Sequence, residues 1–390
     1  MLKEAITELS KTAKEPEWML QKRLEAFSYF ENLPTPSFVY GIGIFFRPES
    51  LNLNELNIKN ENELIAVADK KVTVVNFKNA SENDLNLIKQ HFATTLNPNE
   101  NKFTALHLAA FNNATLIHIP DNTTIYTPIQ INLSINSNSL DHLLIIAGKN
   151  SKASILTSIT SSDGSQKFRS EVVEIIADEN SNLDFISIQN LNKESHNFSI
   201  KRAVLNKDAV VNWLDCCLGS KFTKAATTTN LNAQGAKTNN IGIFFGDKTQ
   251  NFDINNTTIH NSPFTKCNML TKGVLNDKAK TVYRGLIKIQ PNAHDSDSYQ
   301  KEDTLLIGKD AEADAVPILE IHNDKVKCSH GTTIGQIDSE KLFYLMSRGL
   351  DEYTAKTKIV EGFFESIINK IPSESTLNSL KKVIQERLTC

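Results

Sequence analysis

The most suggestive chemistry in this chain of 390 residues lies in Cys328-Ser329-His330-Gly331. Thiolate and imidazole ligate iron or zinc, and residues i and i+2 of a strand share a face, so a strand here points Cys328 and His330 the same way. Two ligands are half of a closed tetrahedral set. A metal site at this pair needs donors from another segment or another chain, and the plain alternative is a structural cysteine in a buried strand. His294-Asp295-Ser296-Asp297 gathers oxygen and nitrogen donors in a short space, which a solvated acidic turn explains more simply. Cys216 and Cys217 are adjacent. A strand sends them to opposite faces, one to the core and one to the surface, so they do not share a ligand set.

The remaining composition excludes several classes. Cys216, Cys217, Cys267, Cys328 and Cys390 are five cysteines without a CxxC pair, which points to reduced thiols in a reducing compartment. Met1 to Glu17 is charged rather than apolar, and no run reaches the ~18 apolar residues that cross a bilayer. A cytoplasmic protein without membrane insertion is expected. A net charge of -3 with no long Lys/Arg run carries no footprint for nucleic acid. The sequence has no GxxxxGK[ST] loop, GxSxG or HExxH, and Gly41-Ile42-Gly43 is too short for a dinucleotide fingerprint. No nucleotide bound by this chain and no catalytic residue of its own are the expectations.

The elements that must hold Cys328 and His330 fall into three stretches. Within residues 1–100, Leu20, Leu24, Phe27 and Phe30 keep helical spacing, and Pro34 and Pro36 close that helix. Short apolar runs (Tyr40 to Phe46, Val72 to Phe77) and a helix over Asp84 to Phe92 make the rest a small α/β region. Residues 101–335 are read as all β from about Phe103, a succession of short runs rich in Ile, Val, Thr and Phe. Apolar residue, polar turn and Ala recur there, ending at Ala209, Ala236, Ala279 and Ala311. The intervals vary from 27 to 43 residues, which irregular coils of a β-solenoid produce, with a sandwich or jelly roll as the alternative. Residues 336–390 are helical. Asp338 caps Glu340 to Arg348, Gly349 takes the left-handed cap, a second helix buries Phe363 and Phe364, and Ser373 starts a third.

The order of residues 283 to 349 resembles the C-terminal signature of the SufB/SufD family. It comprises Tyr283-Arg284-Gly285, Ala293, Gln300, Leu305-Leu306, Pro317 to Ile321, Val326 to Gly331, Leu342 to Leu345 and Ser347-Arg348-Gly349. Lys327-Cys328-Ser329-His330-Gly331 is similar to SufD-like members, whose SufB-like counterparts have a Glu-His-Glu type segment. Thr332 stands where Ala is usual.

The resemblance implies a mainly β fold, a right-handed parallel β-helix flanked by an N-terminal α/β region and C-terminal helices. It implies a scaffold subunit for iron-sulfur cluster assembly that pairs with a SufB-like protein through the β-helix. A SufC-like ATPase would dock on the C-terminal helices, and Leu342, Phe343, Tyr344, Arg348 and Phe363 are the residues expected to meet it. A transient iron-sulfur cluster would sit at the SufB/SufD interface, with His330 a ligand and Cys328 its neighbour. A homodimer of the chain alone is a further expectation. Two readings from other classes stand beside it, a β-helix protein that acts on or binds carbohydrate and a structural zinc protein using Cys328 and His330.

Overall fold

The computed structural model describes residues 2–59, 62–162, 164–368 and 385. Two nine-stranded sheets face each other, and consecutive strands alternate between them. From Ser139 onward every strand pairs in parallel with the strand one coil earlier, as in Asp297–Leu306 against Lys327–Gln336. The result is a parallel β-solenoid of about eight coils, not a sandwich. Coils are close to equal in length, since Val210 pairs with Lys237 and Lys266 with Asp297, 27 and 31 residues apart.

The turns explain the uneven Ala punctuation. Ala209 and Ala236 close turns leading into one sheet, whereas Ala279 and Ala311 close turns leading into the other. The 27-residue interval is therefore one coil, and the 43-residue interval about one and a half. All four alanines are buried, because the chain re-enters the core there. In the first stack of turns, Asn122, Asn150, Asn180 and Asp208 take positive φ, which their short polar side chains tolerate. Asn180 Nδ2 donates to Asn150 Oδ1 and Asn150 Nδ2 to Asn122 Oδ1, both at 2.9 Å, so the turns are stitched along the solenoid.

The two ends differ. At the N-terminal end, Glu63–Val67 and Thr73–Asn76 pair antiparallel with the first strand of each sheet and finish both. The α/β stretch thus supplies the outermost strands of the solenoid. Helices Leu2–Thr12 and Glu17–Asn32 belong to the same N-terminal region, whereas the hairpin Phe38–Tyr40/Gly43–Phe46 lies along the outer face of one sheet, with Phe38 and Phe46 on Phe198 and Phe222. One helix, Lys102–Ala110, falls where all-β structure was expected from Phe103. Its residues from Phe103 to Ala110 are all buried, so it has no polar face and no helical periodicity to betray it.

At the C-terminal end, Glu312–Ile321 and Lys327–Gln336 are the last strands of their sheets, and among the described residues nothing pairs with their outer edges. The chain then leaves through helix Ser339–Ser347. Asp338 Oδ1 accepts from Glu340 N at 2.9 Å as the expected cap, and Gly349 has φ of 95°. Helix Glu352–Ile368 turns back onto the outer face of one sheet, where Val360, Phe364, Ile367 and Ile368 pack on Ile186, Leu214, Ile243 and Val274. The third helix read from Ser373, and Cys390, lie outside the described residues.

Candidate functional site at the open end of the solenoid

Strand Asp297–Leu306 buries Ser298, Gln300, Glu302 and Thr304. These side chains fill the lumen between the sheets. Register places Cys328 beside Ser298, His330 beside Gln300 and Thr332 beside Glu302, and neighbours in a parallel pair point to the same side. Cys328, His330 and Thr332 are thus lumen residues of the last coil, which no further coil among the described residues covers. His330 is exposed and Cys328 half-buried, with Cys328 packed near Cys267, Ile289 and Leu319. Burial, and then the negative charge of Asp297, push the Cys328 thiol above its ordinary range.

Three signature residues converge beneath this mouth. Gln300 lies across Gly285, donating from Nε2 to the Gly285 carbonyl at 3.2 Å, and a Cβ on Gly285 would stand 2.0 Å from that nitrogen. Tyr283 is fully buried beside them. The Tyr-Arg-Gly and Gln elements of the signature are therefore one packing unit of the lumen, while Arg284 points to the outer face.

Glu302 is the residue that sequence reasoning missed. Its Oε1 accepts from Thr304, its Oε2 has no partner among the described residues, and burial raises its carboxyl to about 7. Alternation from Gln300 could have placed it in the lumen, but not its lack of a cation. No three His, Cys, Asp or Glu side chains converge closely enough among the described residues to hold a metal ion. Cys328 and His330 offer a soft pair at an accessible edge, a fit for part of a ligand set and not for a closed site.

Other candidates separate. His294 pairs with Asp295 at 2.7 Å on an exposed turn, with Asp297 exposed on the following strand. Cys216 and Cys217 do face opposite sides, but neither is at the surface. Cys217 looks into the lumen and Cys216 lies under helix Glu352–Ile368. Burial pushes both thiols up, Cys217 to about 12. Among the expected ATPase contacts, Phe343 is 73% and Tyr344 56% exposed. Arg348 stacks on Tyr344 with its guanidinium 5.3 Å from the ring centre, and Leu342 is half-buried. Phe363 instead lies against the solenoid, with the Lys272 ammonium 4.5 Å from its ring and donating to its carbonyl at 2.6 Å.

The family of this chain follows from comparison with known sequences. Residues 131–363 match the family described as SUF system FeS cluster assembly, SufBD core domain. The chain belongs to the SufB/SufD family. The match covers the coils from Ile131 through the open end and helix Glu352–Ile368 as far as Phe363. An iron-sulfur cluster assembly SufBD family protein of Staphylococcus saprophyticus is 28% identical, over 95% of this chain and 89% of the relative. The Bacillus subtilis protein named iron-sulfur cluster assembly protein SufB is 27% identical, over 96% of this chain and 90% of the relative. Membership brings an assembly role for iron-sulfur clusters. Among the described residues no helix is long and apolar enough to cross a membrane.

Proposed function

We propose that this chain is a SufD-like scaffold subunit that works in the cytoplasm without catalytic or nucleotide-binding residues of its own. The observation that carries the proposal is the pair Cys328 and His330, half a ligand set on the lumen face of a terminal coil that no element among the described residues covers. A SufB-like partner laid against this open end supplies the missing donors, and the cluster is cargo held between the two chains. Neutral imidazole releases iron more readily than a full set of thiolates, which suits a scaffold that must give up what it builds. Lys327 to Gly331 favours the SufD-like reading over the SufB-like one. The exposed Phe343 and Tyr344 suit docking of a SufC-like ATPase that supplies energy from outside the chain.

Co-expression with the SufB-like and SufC-like proteins of the same organism, followed by anaerobic purification, tests the proposal through iron and acid-labile sulfide per complex. The expected result is a three-protein complex whose cluster is lost in His330→Ala while assembly persists. A chain that purifies alone, or a variant complex with its full cluster, overturns the shared site.

A further inference from the structure

On the outer face of the solenoid, away from the open end, a cavity of about 360 Å³ lies beneath the segment Pro36–Tyr40. It spans adjacent coils. Register sets Phe198, Lys224 and Asp253 in one row and Ile200, Ala226, Asn255 and Arg284 in the next. The small side chain of Ala226 between Ile200 and Asn255 leaves the hollow, and Phe38, Phe103 and Phe198 give it apolar walls. The rings of Phe103 and Phe198 are stacked at 4.1 Å, so that wall is rigid. At the inner end Ser170 Oγ is held by His107 Nδ1 at 2.9 Å.

Charge in this cavity is unbalanced. Asp253 is almost completely buried, and its Oδ1 accepts from both Lys224 Nζ and Arg284 Nη1 at 2.8 Å. Its Oδ2 accepts from Tyr40 Oη. One carboxylate therefore serves two cations and a phenol. Arg202 at the rim has its own partner in Glu100 at 3.2 Å. The Arg284 guanidinium also lies against Tyr40, 4.8 Å from the ring centre, so Asp253 is its charged partner and Tyr40 a neutral one. Two cations share one carboxylate in a half-open hollow, an arrangement that an entering anion would balance. Burial lowers the Lys224 ammonium from its ordinary range, which fits a cation short of compensation.

We infer that this cavity binds a small organic anion, with its phosphate or carboxylate head on Lys224 and Arg284 and its apolar body against Phe38, Phe103 and Phe198. Cavities of a few hundred Å³ with apolar walls and a few convergent polar groups are the usual form of small-ligand sites. Arg284 belongs to the Tyr-Arg-Gly signature, yet its side chain lies outside the lumen. There it braces Asp253, and the same guanidinium faces the hollow.

Ligand-observed NMR on the purified full chain tests this with phenyl phosphate as probe, and benzyl alcohol and inorganic phosphate as comparisons. Phenyl phosphate is expected to bind saturably, and each comparison at least about tenfold more weakly. Arg284→Gln should weaken phenyl phosphate about tenfold. Ala226→Phe, which fills the hollow and keeps every charge, should abolish binding while circular dichroism shows a folded chain. Absence of saturable binding, equal binding of benzyl alcohol, or binding unchanged in Ala226→Phe overturns the inference. If Arg284→Gln does not fold, Ala226→Phe and the two comparison ligands still decide it.

Discussion

Glu302 shows how much a single carboxyl in the lumen can weigh. An ordinary Glu titrates near 4.5, whereas this one is held at about 7 by burial, with Asp303 adding to the effect. The native state is therefore penalised as pH rises from 4.5 through 7, when the unfolded chain gives up a proton that the fold retains. Glu302→Gln removes the penalty. The variant is expected to gain up to about 3 kcal/mol more at pH 8 than at pH 5, read from urea melts at the two pH values. A gain equal at both would show that the carboxyl is not buried in this way. Residue-level legibility was uneven for a physical reason. Strand alternation correctly puts Cys216 and Cys217 on opposite faces. It does not say that Glu352–Ile368 lies over the outer one, so a thiol expected at the surface is buried. That Cys328 and His330 share a face was legible because strand alternation keeps both on one side whatever packs behind them.

At the scale of elements, the turns rather than the strands set the period. Strand-forming runs of Ile, Val and Thr allow a sandwich as readily as a solenoid, and the two interleaved stacks of turns disguise an almost constant coil. The αL asparagines are the local signal that separates the cases. Asn180, at φ 56° and bonded to Asn150, gives the test. Asn180→Ala is expected to cost about 1–2 kcal/mol in chemical denaturation, since it loses the ladder bond and strains the left-handed position. Asn180→Gly should recover much of that loss, because glycine takes positive φ without strain. Equal losses in both variants would assign the effect to the ladder bond alone. Helix Lys102–Ala110 shows the opposite limit. Buried on nearly every side, it carries no periodicity, and its local signal is the cap at Asn101, whose Oδ1 accepts from Phe103 N and Thr104 N.

The whole molecule has one finished end and one unfinished end, and this asymmetry matters more than any single residue. Antiparallel strands close the N-terminal coil, as proteins commonly protect sheet edges. Among the described residues the C-terminal coil has no such protection. Val316, Ile318 and Ile334 remain exposed on its strands, and Phe343 and Tyr344 on the helix that follows. Two exposed apolar groups on different elements suit two partners that bind independently. Val316→Glu with Ile334→Glu places charge on the open edge and should abolish copurification of the SufB-like protein, with the SufC-like ATPase still bound. Phe343→Asp with Tyr344→Asp should do the reverse. Both pairs alter exposed positions, so neither should shift the stability of the isolated chain by more than about 1 kcal/mol. Pull-down of each partner separately against the two double variants reads the outcome. Loss of both partners in either variant would mean that the open edge and the helix form one continuous surface, and the assembly would then have to form in a fixed order.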